Sequence, residues 1–282
     1  SRRQRQMCIR DRIYHMEKLR AKKGFICDMD GVIYHGNRLL PGVKEFVSWL
    51  QKENKQYLFL TNSSERSPRE LCQKLRRMEL DVDESHFYTS ALATATFLKN
   101  QSPRCRVFVI GEPGLYNAIY EADLTIDDVN PDYVVVGETR NYNYESILKA
   151  VKLVLNGARL IGTNSDMTAP GENGIIPACR ALMSPIELAT GKSAYYIGKP
   201  NPLMMRTGIA LLGCSSADAA IVGDRMDTDI ISGIESEIDT VLVLSGVSSL
   251  DTPRSFAYRP KYVLNGVGDI VNGQIPDVSV KE

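Results

Sequence analysis

The sequence predicts an α/β fold built on a parallel sheet, and three observations carry that expectation. Strand, helix, strand and helix patterns follow one another between Gly24 and Met78. The same alternation recurs further along the chain. Four polar clusters then close apolar runs: Asp28/Asp30, Thr61/Asn62, Lys199 and Asp224/Asp229. In an open parallel sheet, ligands bind beyond the carboxyl ends of the strands.

The elements follow in order. Phe25-Ile26-Cys27 reads as a short buried strand, which runs into Asp28-Met29-Asp30 and is turned by Gly31. If the chain stays extended there, the period of a strand points both carboxylates to one side. Two like charges so close are costly unless a cation or a shared proton lies between them. Pro41-Gly42 opens a helix whose apolar face is Val43, Phe46, Val47 and Leu50. Tyr57 to Leu60 is a second buried strand, ending in Thr61-Asn62-Ser63-Ser64. Ser67-Pro68 caps a helix reaching about Met78, with proline in its first turn.

Arg106 to Ile110 is a strand and Gly114 to Glu121 a helix; Tyr133 to Val136, Tyr144 to Leu155 and Arg159 to Ile161 repeat the alternation. Thr163 to Arg180 is rich in glycine and proline and predicts no regular element. A helix is expected from Pro185 to Thr190, and another from Asn201-Pro202 through Leu212. Ala219 to Val222 is a strand entering Gly223-Asp224-Arg225-Met226-Asp227-Thr228-Asp229; a helix and the strand Thr240 to Leu244 follow.

Composition narrows the function classes. The 282 residues carry no formal net charge, yet residues 1–24 hold nine Arg/Lys and two Asp/Glu, about +7. The remainder is therefore mildly acidic, which argues against a nucleic-acid surface. No apolar run is long enough for a membrane span or follows the basic start as in a secretory signal. Cys8, Cys27, Cys72, Cys105, Cys179 and Cys214 lie far apart and read as free thiols of a cytoplasmic protein. Residues 1–15 show no periodicity and read as a non-structural leader, with Met16 as a natural start; a mitochondrial transit peptide is the rival reading, opposed by Asp11.

Taken singly, each cluster is ordinary turn and capping chemistry, since Asp, Asn, Ser and Thr favour such places. Four of them in this order are hard to attribute to turns. Gly111-Glu112-Pro113-Gly114 lacks the spacing of a dinucleotide or phosphate loop, so a dehydrogenase is the weaker fold-level alternative. His15 and His86 belong to no motif in the sequence.

The Asp-Met-Asp-Gly-Val stretch with Tyr34-His35-Gly36 after it, Leu60-Thr61-Asn62-Ser63-Ser64, Gly198-Lys199-Pro200 and Gly223-Asp224-Arg225-Met226-Asp227-Thr228-Asp229 together resemble the haloacid dehalogenase-like hydrolases. Within them the chain looks like the NagD-like and 4-nitrophenylphosphatase-like branch. The resemblance implies a doubly wound Rossmann-like core over residues 16–88 and 193–282, with an α/β cap of the C2 type inserted over residues 89–192. It matches Asp28 to a nucleophile that forms an aspartyl-phosphate, and Asp30 to the general acid/base. Mg²⁺ would be held by Asp28, the Asp30 main-chain carbonyl and Asp224, with Asp229 orienting or supplying the outer shell. Thr61 would offer its hydroxyl and Asn62 its amide to the phosphoryl group, and Lys199 would neutralise its charge. His35 belongs to the Tyr-x-Gly pattern and would line the entrance.

In the cap, relatives carry Thr-Asn-Pro-Asp and Pro-Gly-x-Gly-Ala-Leu, where this chain has Thr163-Asn164-Ser165-Asp166 and Pro177-Ala178-Cys179-Arg180-Ala181-Leu182. Asn164, Asp166 and Arg180 are the candidates for substrate specificity. Arg180 could form a surface salt bridge or meet an anionic tail. The function implied is a cytoplasmic, Mg²⁺-dependent phosphomonoesterase for small phosphorylated metabolites, nucleoside monophosphates or sugar phosphates among them, with a homodimer through the cap. A phosphotransferase or phosphomutase of the same fold is the alternative within the class; a non-catalytic binding protein is the alternative outside it.

Overall fold

A computed structural model describes residues 13–273. The chain divides into two compact units: the residues up to Leu60 together with those from Gly208, and Thr61–Thr207. Residues 13–20 form a helix, which starts within the last residues of the expected leader; the rest of that leader, including Cys8, lies outside the described residues. Among the described residues no helix is long and apolar enough to cross a membrane.

The first unit is built on a parallel sheet in the order Tyr262–Leu264, Asp239–Val243, Ala219–Gly223, Gly24–Cys27, Gln56–Thr61. Gly24–Cys27 is buried along its whole length and lies in the interior of the sheet. From it the chain steps to Gln56–Thr61 on one side, and the later strands build the other side. The order therefore reverses between Gly24–Cys27 and Ala219–Gly223, the place where doubly wound sheets bind ligands.

The helix Val43–Lys52 buries Val43, Phe46, Val47 and Leu50, the face its spacing predicts. Its Phe46 and Trp49 meet Phe25 of the central strand edge-on, with ring centroids 6.1 and 5.6 Å apart. This packing anchors the strand that ends in Asp28. His35 sits exposed in a small antiparallel pairing of Tyr34–His35 with Arg38–Leu39.

The second unit holds its own parallel sheet, in the order Tyr195–Tyr196, Arg159–Gly162, Tyr133–Val136, Arg106–Ile110, Thr125–Ile126. Val134, Val136, Ala150, Leu153, Met183 and Ile186 share one core between this sheet and the helices Tyr144–Leu155 and Cys179–Thr190. The helix Pro68–Arg77 starts as the sequence predicts: the Ser67 hydroxyl accepts the Glu70 N–H, and the Glu70 carboxylate accepts the Ser67 N–H.

Two expectations need correction here. Thr163 to Arg180 is not without regular structure, because Thr168–Gly171 pairs antiparallel with Gly174–Pro177. The following helix begins at Cys179 rather than at Pro185, and carries Pro185 in its interior. Burial of Cys179, Leu182, Met183 and Ile186 supports the extra turns despite the missing proline donor.

Phe46 is completely buried, so Phe46→Ala removes both its area and the edge-on contact to Phe25. The expected loss of stability is about 3–5 kcal/mol, measured by denaturant unfolding. A loss below about 1 kcal/mol would mean the helix is not the anchor of the Asp28 strand.

Candidate active site

The site is built first from the ends of two neighbouring strands. Asp28 follows Cys27, and its N–H still donates to Val222 O at 2.9 Å, so the chain has not left the sheet where this carboxylate projects. Asp28 and Asp30 are half-buried and Met29 between them is buried, but the chain bends at Met29 and does not stay extended through the pair. Gly31 then turns the backbone at a φ of 79°, a conformation that favours glycine. A side chain at Gly31, or at Gly246, would run into the Asp224 carboxylate. These two glycines make the room in which that carboxylate sits.

Asp224 follows Gly223 on the adjacent strand and is buried, with Oδ2 accepting the Val247 N–H at 2.8 Å. Met226–Ile230 next forms a single π-helical turn, a device that recurs where a side chain must be re-aimed. The turn brings Asp229 back on itself. Its Oδ2 accepts the Arg225 N–H at 3.1 Å, and its own N–H donates to Arg225 O at 3.1 Å. Asp227, in the same turn, faces solvent and pairs with the Arg225 guanidinium at 2.9 Å.

One carboxylate oxygen from each of Asp28, Asp224 and Asp229 lies within 4.8 Å of the others. Carboxylates at that spacing repel one another, and a cation between them removes the cost. Three hard oxygen donors fit a small hard divalent ion of the Mg²⁺ kind. Burial pushes the neighbouring Cys27 thiol far above its ordinary range, with the charge of Asp28 a smaller contribution.

The other predicted residues gather in the second unit. Thr61 is buried and its Oγ1 accepts the Ser63 N–H at 3.1 Å. The Asn62 side chain spans the main chain of Lys199: Oδ1 accepts the Lys199 N–H at 2.7 Å, and Nδ2 donates to Lys199 O at 2.9 Å. Nδ2 also donates to Asp166 Oδ2 at 3.1 Å. The amide expected to meet a phosphoryl group is thus engaged in fixing the backbone of the lysine, which is itself buried.

Asn164 is completely buried. Its Nδ2 donates to Asn62 O at 2.6 Å and to Glu138 Oε1, and its Oδ1 accepts the Asp166 N–H at 3.0 Å. No donor remains on it for a substrate. Arg180 donates its N–H to Asp166 O at 3.0 Å, while its guanidinium lies exposed over the Tyr196 ring, 5.6 Å from the centroid. Among the described residues it forms no ion pair.

Glu138 is the residue that the sequence reading missed. It follows the buried strand Tyr133–Val136 by one glycine, the same strand-end position that marks Asp28 and Asp224. Its Oε2 accepts both the N–H (3.2 Å) and the hydroxyl of Ser64, and its Oε1 takes Asn164. Burial raises its carboxyl above the ordinary range, against the opposing pull of these hydrogen bonds. The buried Cys179 thiol is pushed up to about 12, by burial first and by the charge of Glu138 second.

The chain is similar to known proteins along most of its length. Residues 25–125 match a family described as haloacid dehalogenase-like hydrolase, and residues 196–270 one described as HAD-hydrolase-like. It is 42% identical over 248 residues to dihydroxyacetone phosphatase of Corynebacterium glutamicum, covering 88% of this chain and 90% of that protein. It is also 42% identical to the ribonucleotide monophosphatase NagD of Escherichia coli, covering 88% and 98%. The crystal structure of a 4-nitrophenylphosphatase from Thermotoga maritima matches with a TM-score of 0.86 at 34% identity, covering 90% of this chain and 98% of that one.

The acidic trio predicts cation-linked stability. Mg²⁺ at about a hundred times its Kd should stabilise the protein by about 2.7 kcal/mol, read as a thermal shift. Asp224→Asn should lose that shift; an unchanged shift in the variant would place the cation elsewhere.

Proposed function

We infer a mechanism from one premise: this chain belongs to the haloacid dehalogenase-like hydrolase family, as a phosphatase of its NagD-like branch. The observation that carries the reading is the carboxylate trio of Asp28, Asp224 and Asp229 at the switch point of the sheet. Two roles divide the neighbouring acids. Asp28 attacks phosphorus in line with the leaving oxygen; the bond from phosphorus to that oxygen breaks as the bond to Asp28 forms. Asp30, protonated at this stage, gives its proton to the departing oxygen. In the second step Asp30 takes a proton from water as the water oxygen attacks phosphorus and the aspartyl-phosphate bond breaks. Free phosphate leaves and both acids return to their starting states.

A carboxylate is a weak nucleophile toward an anionic phosphoryl group, so positive charge on the phosphate oxygens is required. Asp28, the Asp30 main-chain carbonyl and Asp224 would hold Mg²⁺, with Asp229 orienting, and the bound ion would supply that charge. Thr61 donates its hydroxyl to the phosphoryl group. Lys199 stabilises the charge that builds in the transition state.

The substrate is a small phosphorylated metabolite. The two sequence relatives are named for a triose phosphate and for ribonucleotide monophosphates, and sugar phosphates and nucleoside monophosphates are the classes we assign. All of them share the phosphoryl group, so discrimination falls to the insert over residues 89–192, which acts as the cap. The same reading makes the protein a cytoplasmic enzyme, with a homodimer contact on exposed apolar side chains of the insert such as Tyr120 and Leu188.

Phosphate release from a panel of phosphorylated metabolites, with Mg²⁺ and with excess chelator, tests the reading. Activity that survives the chelator, or none on any monoester, would sink it. Asp28→Asn should lower kcat by about a thousandfold or more and abolish phosphoenzyme formation; Asp30→Asn should also fail in turnover while staying folded. Near wild-type release from the Asp28 variant would refute its role as nucleophile.

Arg180 yields a separate prediction, because its guanidinium is exposed and held over Tyr196. Arg180→Ala should lower kcat/KM by about ten- to a hundredfold for substrates with a second anionic group. It should leave a small aryl phosphate unchanged. An equal fall for all substrates would assign Arg180 to folding or closure instead.

A further inference from the structure

We infer that Glu138 is a positioning residue for Lys199, acting through Ser64 and Asn164 on Asn62. The inference rests on the role proposed above for the lysine, but its geometry is independent of any substrate.

The observations form a closed chain of contacts inside the second unit. Glu138 offers two carboxylate oxygens to three donors. Oε2 receives the Ser64 N–H and hydroxyl, and Oε1 receives the Asn164 amide. The Ser64 hydroxyl also accepts from Thr163 Oγ1 at 3.3 Å, so Thr163 and Asn164 are both tied to this point. Asn164 spends its other amide hydrogen on Asn62 O at 2.6 Å, and the Ser90 hydroxyl donates to the same oxygen at 2.5 Å. The residues on which Glu138 acts therefore hold Asn62 from its own carbonyl and from two positions downstream. Asn62 then clasps the main chain of Lys199 with both ends of its amide.

The chemistry needs a carboxylate at the head of this chain. Ser64, Thr163 and Asn164 are buried, and a buried donor without an acceptor costs about 1–3 kcal/mol. A glutamine would present one acceptor and one donor, leaving either Ser64 or Asn164 facing an N–H. Among the contacts described, Glu138 meets three donors and no cation. Two carboxylate oxygens facing three donors mark a demand for acceptors in a fixed place.

The test is Glu138→Gln, with Glu112→Gln as control. Glu112 is another carboxylate of the same unit, taking the Thr139 hydroxyl at 2.8 Å and the Arg140 N–H at 3.1 Å. Steady-state kinetics on an aryl phosphate should give a fall in kcat of about ten- to a hundredfold for Glu138→Gln, with KM changed less than about threefold, since misplacing a catalytic group by about 1 Å costs that much. Glu112→Gln should keep wild-type kcat. Amide hydrogen exchange supplies a readout that needs no turnover. The Lys199 N–H, held by Asn62, should exchange about tenfold faster in Glu138→Gln and not in the control.

Wild-type kcat in Glu138→Gln overturns the inference. So does a fallen kcat with Lys199 still protected as in the wild type. If the wild-type protein hydrolyses no monoester, the phosphatase reading fails, and the exchange measurement still decides whether Glu138 holds Lys199. Should Glu138→Gln not fold, Ser64→Ala removes one donor only and has to show the same split between kcat and KM with the same loss of protection; wild-type values for it overturn the inference.

Discussion

Carboxylates within 4.8 Å of one another repel, and a chain that holds three of them needs a rigid support for each. Asp28 is carried by a strand buried from end to end and braced by Phe46 and Trp49. Asp224 is carried by the neighbouring strand and packs against Gly31 and Gly246, where any side chain would run into it. Asp229 comes from a π-helical turn whose extra residue points it inward while Asp227 turns to solvent. The repulsion is thus borne by the most buried part of the first unit. A looser scaffold would let the three groups separate.

The second unit solves a different problem with the same economy of parts. Lys199 is buried, and a long flexible side chain is placed best by fixing its backbone. Asn62 does this with a paired contact that resembles strand pairing made by a side chain. Polar groups that are individually expensive to bury become affordable when each finds its partner, as in the run from Glu138 to Asn62.

Much of this was legible in the sequence, for reasons that can be traced to particular residues. The helix Val43–Lys52 follows from the spacing of Val43, Phe46, Val47 and Leu50. Asp28 was visible because two aspartates closing a buried strand strain simple packing, whereas Asp224 and Asp229 drew their meaning from standing in order with the other clusters. The hairpin of Thr168–Gly171 with Gly174–Pro177 was hidden because both strands are short, mostly exposed and rich in glycine and proline. The start of the helix at Cys179 was hidden by Pro185, whose local preference is overruled by the burial of Leu182, Met183 and Ile186. Glu138 carried the right signal, a polar residue at a strand end, but its partners Ser64 and Asn164 lie far from it in sequence. Hydrogen-bond pairing of that kind has no periodicity to read.

The cysteine beside Asp28 has a consequence for how the site meets oxidants. Cys27 immediately precedes Asp28, is completely buried, and has its thiol held firmly in the protonated form. Thiols react with peroxide and alkylating agents as thiolates, and only where these can reach them. A site that keeps the cysteine next to its acidic cluster both neutral and enclosed offers oxidants no handle at that position. Oxidation that consumes exposed thiolates would leave Cys27 reduced.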